Sequence, residues 1–299
     1  MTQFTEAELQ ALMAKAVREV RAANPMAPSI TNTVTQSFVA NAQLAVGGSA
    51  AMVYLPDEGC AVAVAAGATY INLGTLMPVY EQTIPATAQT LHQAHKPWVL
   101  DPVGIGIGSL RTQLLQAVRP FAPTLIRANA SEVIALANLW EVHTANTAEA
   151  TSGEGDGAGQ KAAGENDGPR GVDSTHSVDA AEAAAVALAR FTGGAVAVSG
   201  ATDLVTDGQT IARLKGGSPL MECITGCGCS LGGVAAVYSC VADPFVAALT
   251  ATAAYNRAGS RAASRADAPA SFQVAFLDEL HALTPEDIAE TFLHLQPAE

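Results

Sequence analysis

Residues 69–74, Thr-Tyr-Ile-Asn-Leu-Gly, and residues 97–104, Pro-Trp-Val-Leu-Asp-Pro-Val-Gly, decide the fold. In each stretch a short run of mainly apolar residues stops at a polar side chain, Asn72 or Asp101. Such runs alternate with longer stretches of helical character up to about residue 139. This alternation is typical of βαβ units, in which the strands are parallel. The sequence therefore predicts an α/β fold with a largely parallel central sheet flanked by helices.

Two later runs end in the same way. Residues 124–129 pass through Arg127, and residues 195–200 reach Ser199. Ligands of open parallel sheets bind outside the carboxyl ends of the strands, where polar side chains from several strands can gather. We therefore predict one site, assembled from several loops, at the carboxyl edge of the sheet.

Further elements follow from local patterns. Residues 5–22 carry apolar side chains at helical spacing, and residues 178–190 form an Ala-rich helical stretch. Two β-like runs flank a turn at Asp207 and Gly208, and we expect mostly helical sequence from Leu231 onward.

Composition narrows the class of protein. The 299 residues carry 15 basic and 28 acidic side chains, a net charge of −13, which argues against nucleic acid or an anionic membrane as a partner. The most apolar long stretch, from Cys229 to Val241, is shorter than the roughly 20 residues of a membrane helix. The first residues are polar and acidic, unlike a secretory signal, and the five cysteines are an odd number. We expect a cytoplasmic protein with reduced thiols.

The stretch between Trp140 and Val172 changes to Gly, Ala, Ser, Thr and acidic residues. With almost no large apolar side chains it cannot offset its ordering entropy, so we predict a mobile insertion at about residues 144–171. The length suits one large α/β domain or two smaller ones, and we expect a single domain over residues 1–299 that carries this insertion.

The densest signal is residues 222–233, Glu-Cys-Ile-Thr-Gly-Cys-Gly-Cys-Ser-Leu-Gly-Gly, a Gly-x-Gly loop that opens into an apolar helix. Glycines allow close backbone approach, and a helix start presents free N–H groups, so this loop suits a phosphate or a developing phosphoryl charge. No Gly-Lys-Ser/Thr tripeptide occurs, and residues 104–108 lack the spacing of a dinucleotide fingerprint. A P-loop NTPase or a Rossmann dehydrogenase is therefore a poor fit.

The cysteines in this loop leave other interpretations open. Cys223, Cys227 and Cys229 could chelate zinc, although the nearest downstream histidine is His281. Cys229 lies in the first turn of the predicted helix, where we expect a lowered thiol pKa. A thiol-rich metal-binding or redox protein is thus one alternative.

Eight short blocks follow one another along residues 8–140 and 171–285. They are Ser-Ile-Thr-Asn (29–32), Phe-Val-Ala-Asn (38–41), Gly-Gly-Ser-Ala-Ala-Met (47–52), Ile-Asn-Leu-Gly-Thr-Leu (71–76), Val-Leu-Asp-Pro-Val-Gly (99–104), Ile-Arg-Ala-Asn-Ala-Ser-Glu (126–132), Val-Ser-Gly (198–200) and Ile-Thr-Gly-Cys-Gly-Cys (224–229). In this order they resemble the hydroxyethylthiazole kinase family.

The resemblance implies a ribokinase-like α/β fold and transfer of the ATP γ-phosphoryl group, with Mg²⁺, to the hydroxyl of a hydroxyethylthiazole in thiamine salvage. It also implies a homotrimer with sites between subunits. A related kinase of another small alcohol, such as a hydroxymethylpyrimidine, is the second alternative.

The resemblance implies roles for individual residues, grouped by what each would contact. These are Met52, Asn32 and Gly226 for the thiazole alcohol, Arg127 and Ser199 for ATP, Asp101 and Glu132 for Mg²⁺ through water, and Cys229, Gly226 and Gly228 for catalysis. Cys229 stands where the wider ribokinase-like group usually carries an aspartate base. Cys227, between the two loop glycines, departs from the family pattern and puts the redox stability of the site in doubt.

Overall fold

The computed structural model describes residues 4–142 and 176–298. The predicted insertion at residues 144–171 lies outside the described residues, and the prediction of a single domain stays a prediction. One sheet runs through the described part of the chain.

That sheet has nine strands in the order β2-β1-β3-β4-β5-β6-β7-β8-β9. The strands are β1 (Met26–Ile30), β2 (Ser49–Met52), β3 (Thr69–Asn72), β4 (Trp98–Asp101), β5 (Leu125–Asn129), β6 (Ala195–Ser199), β7 (Asp203–Thr206), β8 (Thr210–Leu214) and β9 (His294–Pro297). Pairing is parallel from β2 across to β6 and antiparallel from β6 to β9. The largely parallel sheet is therefore confirmed.

Helices cover both faces of the sheet. They are α1 (Glu6–Ala23), α2 (Gln36–Ala45), α3 (Pro56–Ala65), α4 (Tyr80–Gln93), α5 (Ser109–Val118), α6 (Ala130–Leu139), α7 (Val178–Thr192), α8 (Cys227–Ser239), α9 (Pro244–Ala263), α10 (Pro269–Ala282) and α11 (Pro285–Ala289). One apolar core lies between the sheet and the layer that contains α1, α2, α8, α9 and α10. A second core lies between the other face and α3 to α7.

Most of the element predictions are confirmed. The helix expected at residues 5–22 is α1, whose start is fixed by a capping box between Thr5 and Glu8. The hairpin of β7 and β8 turns at Asp207 and Gly208, as predicted. The expectation of mostly helical sequence from Leu231 onward is confirmed by α8 to α11, and the short strand β9, which pairs with β8, is the exception at its end. Its sequence, His-Leu-Gln-Pro, carries no alternation strong enough to indicate a strand.

Small residues bring α8 close to the sheet. A Cβ added at Gly232 would lie 2.4 Å from Cε2 of Tyr70, and one at Gly233 would lie 2.8 Å from Cγ1 of Val39 on α2. Only glycine permits this approach, since real Cβ atoms do not come so near another carbon. The two glycines therefore set the position of α8, and with it the place of its N-terminus.

A search of the described residues finds no helix that is both long and apolar enough to cross a membrane.

The C-terminal helices are joined by an ion-pair cluster around Asp287 on α11. Its carboxylate pairs with Arg261 and with Arg257 on α9, and it caps its own helix through the backbone N–H of Thr284 at 3.0 Å. The hydrogen bond from Arg261 holds the pKa of Asp287 well below its usual range. This carboxylate therefore stabilises the folded chain in its charged form.

We expect Asp287→Asn to lower the free energy of unfolding by about 1–3 kcal/mol at pH 7. Because the folded pKa lies below the unfolded one, the stabilisation is present above about pH 4 and is lost as the pH falls. Urea unfolding at pH 7 and pH 2 measures this, because the stabilisation falls only as the pH approaches the folded pKa, and the exposed neighbour Glu286→Gln is the control. A deficit of equal size at both pH values would contradict the assignment to charge.

Candidate active site

The polar side chains predicted at the strand ends do lie together. Asn72 and Asp101 are register partners on β3 and β4, and Leu100 pairs with Ile126, which places Arg127 beside Asp101. Arg127 donates to Asp101 Oδ2 at 3.4 Å and to Ser199 Oγ at 3.0 Å. The structure thus brings Asp101, Arg127 and Ser199 into one row at the carboxyl edge of the sheet.

Arg127 is a buried cation with acidic neighbours. Burial alone would lower its pKa, but the charges of Asp101 and Glu132 raise it above the ordinary value. The guanidinium therefore stays charged. Its Nε has no hydrogen-bond partner among the described residues, so Arg127 keeps a donor that its protein neighbours do not use.

Asp101 is completely buried at the end of β4. Its Oδ2 accepts hydrogen bonds from Arg127 and from the Tyr70 hydroxyl, the latter at 2.9 Å, while Oδ1 has no partner within the described residues. Burial raises the pKa of this carboxyl to about 6, although Arg127 acts in the opposite direction. A buried carboxylate oxygen without a partner is unusual and fits a site that receives a cation.

Glu132 lies in the first turn of α6 and is held by backbone donors. One oxygen accepts from the N–H of Gly104 at 3.1 Å, and the other accepts from the N–H of Asn129 at 3.0 Å in a capping box. Its charge acts on both Asp101 and Arg127. Glu132 therefore contributes negative charge to the site and also fixes the loop that follows β4.

The N-terminus of α8 faces this row. Gly226 is the N-cap in a left-handed conformation, with φ +92°, and the N–H of Ser230 makes the first helical bond to its carbonyl at 2.8 Å. No side chain caps the helix, so the N–H groups of residues 227–229 have no partner within it. These groups and the helix dipole form an anion site of the predicted kind.

Gly228 belongs to the helix itself, and its backbone is not in the left-handed region. A Cβ at this position would lie 2.8 Å from Nη1 and from Nη2 of Arg127. The loop proper therefore ends at Gly226. Glycine is required at 228 because the guanidinium packs against the helix backbone, which brings the cation beside the free N–H groups.

Cys229 lies in the first turn of α8, as expected, but the expectation of a lowered thiol pKa is wrong. Burial, and then the charge of Asp101, raise the pKa of Cys229 to about 11. Arg127 and hydrogen bonds from Asn72 and Asn32 oppose this rise only in part. The free protein therefore holds Cys229 as a neutral thiol, whose Sγ is 3.3 Å from Nδ2 of Asn32.

The three clustered cysteines do not point to one place. Cys223 is exposed ahead of α8, whereas Cys227 is buried in the core, and burial raises its pKa to about 12. Side chains two positions apart on a helix do not face each other, so Cys227 and Cys229 are poorly placed to form a disulfide. Within residues 4–142 and 176–298, His, Cys, Asp and Glu side chains do not gather in threes as a metal site.

The predicted substrate residues lie at the same edge. Asn32 follows β1 and is buried, and Met52 is the last residue of β2, in register with Ser29. Met52 is half-buried and packs against the core that contains α8. The substrate role of Met52 stays a prediction.

Sequence analysis missed two side chains that organise the site, Tyr70 and Arg111. Tyr70 and Asn72 link Asp101 to Asn32 through hydrogen bonds, and Arg111 donates to the carbonyls of Leu73 at 2.8 Å and Gly74 at 2.5 Å. Asn72 was visible as a polar strand end. Tyr70 and Arg111 carried no such signal, because an aromatic residue in a strand and a basic residue in a helix are ordinary.

Comparisons with known proteins agree on one family. The family model described as the hydroxyethylthiazole kinase family matches residues 17–163 and 155–286. A hydroxyethylthiazole kinase of Bifidobacterium longum is 50% identical over 298 residues, which cover 95% of this chain and 90% of that protein.

Solved structures give the fold. The hydroxyethylthiazole kinase protein from Pyrococcus horikoshii OT3 is 26% identical, with a TM-score of 0.77 over 96% of this chain and 99% of that one. A ribokinase-like superfamily protein from Enterococcus faecalis V583 is 12% identical, with a TM-score of 0.55 over 91% of this chain and 95% of that one. The ribokinase-like fold is confirmed, and with a family model matched along most of its length and a relative half identical to it, the chain belongs to the hydroxyethylthiazole kinase family.

Proposed function

We propose that this chain transfers the γ-phosphoryl group of ATP to the hydroxyl of a hydroxyethylthiazole, a step of thiamine salvage. The observation that carries the proposal is the uncapped N-terminus of α8, which lies against the charged guanidinium of Arg127 and includes Cys229. Family membership indicates the substrate class. The arrangement of α8 and Arg127 provides groups that can bind the phosphoryl group and offset its charge.

Phosphoryl transfer depends on position and charge more than on covalent chemistry. The free N–H groups of residues 227–229 can bind the oxygens of the transferring group, and the Arg127 guanidinium offsets their charge from the side of the sheet. Ser199, which accepts from Arg127, lies where ATP is expected and offers a hydroxyl to it. Each contact strengthens as charge develops on the phosphoryl oxygens, so each favours the transition state.

Asp101 and Glu132 would hold Mg²⁺, in part through water. The unpartnered Oδ1 of Asp101 fits this role, since hard cations prefer carboxylate oxygen. When bound, the metal offsets phosphate charge. Glu132 remains anchored by two backbone donors and therefore contributes charge at a fixed place.

The alcohol is expected beside Cys229, with Asn32, Met52 and Gly226 around it. As a neutral thiol, Cys229 accepts a hydrogen bond from Asn32 and can direct its own S–H or a lone pair toward the alcohol. Removal of the alcohol proton by a Cys229 thiolate would first require the thiol to lose its own proton. Orientation of the hydroxyl is therefore the role that the free protein supports more directly.

We also propose a cytoplasmic homotrimer in which sites form between subunits. Its support is the exposed apolar surface close in sequence to two of the substrate residues. Val34 is 68% exposed and follows Asn32, and Leu55 is 48% exposed and follows Met52 on edge strand β2. Light scattering on the purified protein would measure the assembly, and a monomer with full activity would contradict this part of the proposal.

An ADP-release assay with Mg-ATP tests the function. We expect turnover with 4-methyl-5-(2-hydroxyethyl)thiazole and little ADP without an alcohol. A hydroxymethylpyrimidine serves as the rival substrate under the same conditions. Faster turnover with the pyrimidine would assign the chain to that activity, and equal ADP release without any alcohol would reject both.

Arg127→Lys is expected to raise the KM for ATP roughly ten- to a hundredfold, because lysine keeps the charge but loses the fork that reaches both Asp101 and Ser199. Thermal melting should change little, since a cation remains beside Asp101. Arg119→Lys is the matched control, because Arg119 lies over the ring of Phe191. An unchanged KM with a large fall in Tm would make Arg127 a structural residue.

A further inference from the structure

The two halves of the site are connected by buried hydrogen bonds. The connection starts at the charged pair beneath the anion site and ends at the thiol in the first turn of α8. Its members in order are Arg127, Asp101, Tyr70, Asn72, Asn32 and Cys229. Sequence separation within this series reaches 197 residues, between Asn32 and Cys229, so only the folded chain can assemble it.

The donor and acceptor groups of these residues fix the direction of each hydrogen bond in the series. The Asp101 carboxylate accepts, so the Tyr70 hydroxyl donates to it at 2.9 Å and has its lone pairs left to accept. Asn72 Nδ2 donates to Tyr70 at 2.8 Å, which turns Asn72 Oδ1 toward Asn32. Asn32 Nδ2 then donates to Asn72 at 3.2 Å and to Cys229 at 3.3 Å. The orientation of Tyr70 therefore decides which end of each amide faces the thiol.

The Tyr70 side chain has little freedom to adopt another orientation. Its side chain is fully buried on β3, and its ring lies against the backbone of α8 at Gly232, where no Cβ could fit. Tyr70 and Asn72 are two positions apart on one strand and therefore share a face, which keeps the hydroxyl within reach of the amide. Asn72 Oδ1 is further held by the N–H of Gly74 at 2.9 Å.

We propose that Tyr70 is a positioning residue that couples the charged half of the site to its alcohol-binding half, by orienting Asn72 so that Asn32 donates to Cys229. The role in turnover rests on the proposed function. The orientation itself does not, because it concerns side chains of the free protein. Without the phenol oxygen, the Asn72 amide loses its buried acceptor and can rotate, which leaves Asn32 without a fixed partner.

The rate of alkylation of Cys229 by iodoacetamide reports on this orientation without any turnover. A hydrogen bond donated to sulfur favours the thiolate, which is the form that reacts. We expect Tyr70→Phe to slow alkylation of Cys229 by between about two- and tenfold, the effect of one hydrogen bond. Peptide mapping by mass spectrometry follows each thiol separately, and the exposed Cys223 is the control within the same sample.

Two further variants separate positioning from packing. Tyr238→Phe removes a hydroxyl from another buried tyrosine, on α8, and should leave the rate at Cys229 unchanged. Asn72→Ala breaks the series one link further on and should reproduce the effect of Tyr70→Phe. It also keeps the test available if Tyr70→Phe does not fold.

A double-mutant cycle gives the decisive result. If Tyr70 acts through Asn72, Tyr70→Phe should not slow the alkylation of Cys229 further in a chain that already carries Asn72→Ala. Additive effects, or an unchanged or faster rate in Tyr70→Phe alone, would overturn the proposal. In an active enzyme, kcat for the thiazole alcohol should follow the same pattern. A wild-type chain that releases no ADP with this alcohol would reject the function while leaving the alkylation test intact.

Discussion

Gly228→Val is expected to lower kcat/KM for the thiazole alcohol by roughly 10³-fold while the chain still folds. The first added carbon alone would lie 2.8 Å from both terminal nitrogens of Arg127 and 3.1 Å from its Cζ. The guanidinium would have to move, and its contacts with Asp101 and Ser199 would be lost with it. The valine methyl groups would also obstruct the N–H groups that bind the phosphoryl oxygens.

Steady-state kinetics and thermal melting measure this effect together. Gly228→Ala should give a smaller loss, because it adds the carbon nearest Arg127 and no methyl branches. In a chain that already carries Arg127→Ala, the alanine at 228 should cost little more, since the group that it displaces is absent. Turnover like that of wild type in Gly228→Val would show that the start of α8 takes no part in the reaction.

Cys229→Ala is expected to lower kcat by about 10²–10⁴-fold, the usual share of a positioned acid or base, and to leave residual turnover from the N–H groups of α8 and from Arg127. Cys229→Asp should be well above Cys229→Ala, because a carboxylate accepts a proton more readily than a thiol whose pKa burial raises to about 11. Wild-type turnover in Cys229→Ala would show that the thiol has only a packing role. A folded but inactive Cys229→Asp would show that position 229 does not serve as the aspartate base does in other ribokinase-like kinases.

Cys229→Ser separates the two roles of the thiol. Serine retains a hydrogen-bonding group of similar shape. Its hydroxyl is a far weaker acid than a thiol, so it does not supply an anion that could remove the alcohol proton. Turnover close to wild type in Cys229→Ser would assign Cys229 to orientation of the alcohol. A loss equal to that of Cys229→Ala would assign it to proton removal. Cys223→Ser is the control, because that exposed thiol lies ahead of the helix.

Local patterns in the sequence predicted the framework of this protein. Apolar runs that stop at Asn72, Asp101 and Ser199 indicated parallel strands with a shared carboxyl edge, and the structure confirms both. The glycines before an apolar stretch indicated the start of α8. These predictions succeed because strand and helix periods, and the turn chemistry of glycine, are properties of neighbouring residues.

Other features depended on groups that are distant along the chain. Gly228 appeared to serve a loop, yet the residue that requires it is Arg127, which lies about one hundred positions earlier. Tyr70 carried no signal in the sequence, and only the fold places its hydroxyl between Asp101 and Asn72. The strand β9 forms because β8 offers an open edge, which its own four residues do not reveal.

The pKa of Cys229 shows most clearly which properties the sequence determines and which the tertiary structure determines. The sequence by itself determined that this cysteine lies in the first turn of a helix, and a helix N-terminus favours a thiolate. Only the tertiary structure decided that the thiol is partly buried and near the Asp101 carboxylate, and both effects favour the neutral form. Desolvation and the field of a neighbouring charge raise the pKa of Cys229, and both depend on what the whole fold places around the sulfur and not on the residues beside it.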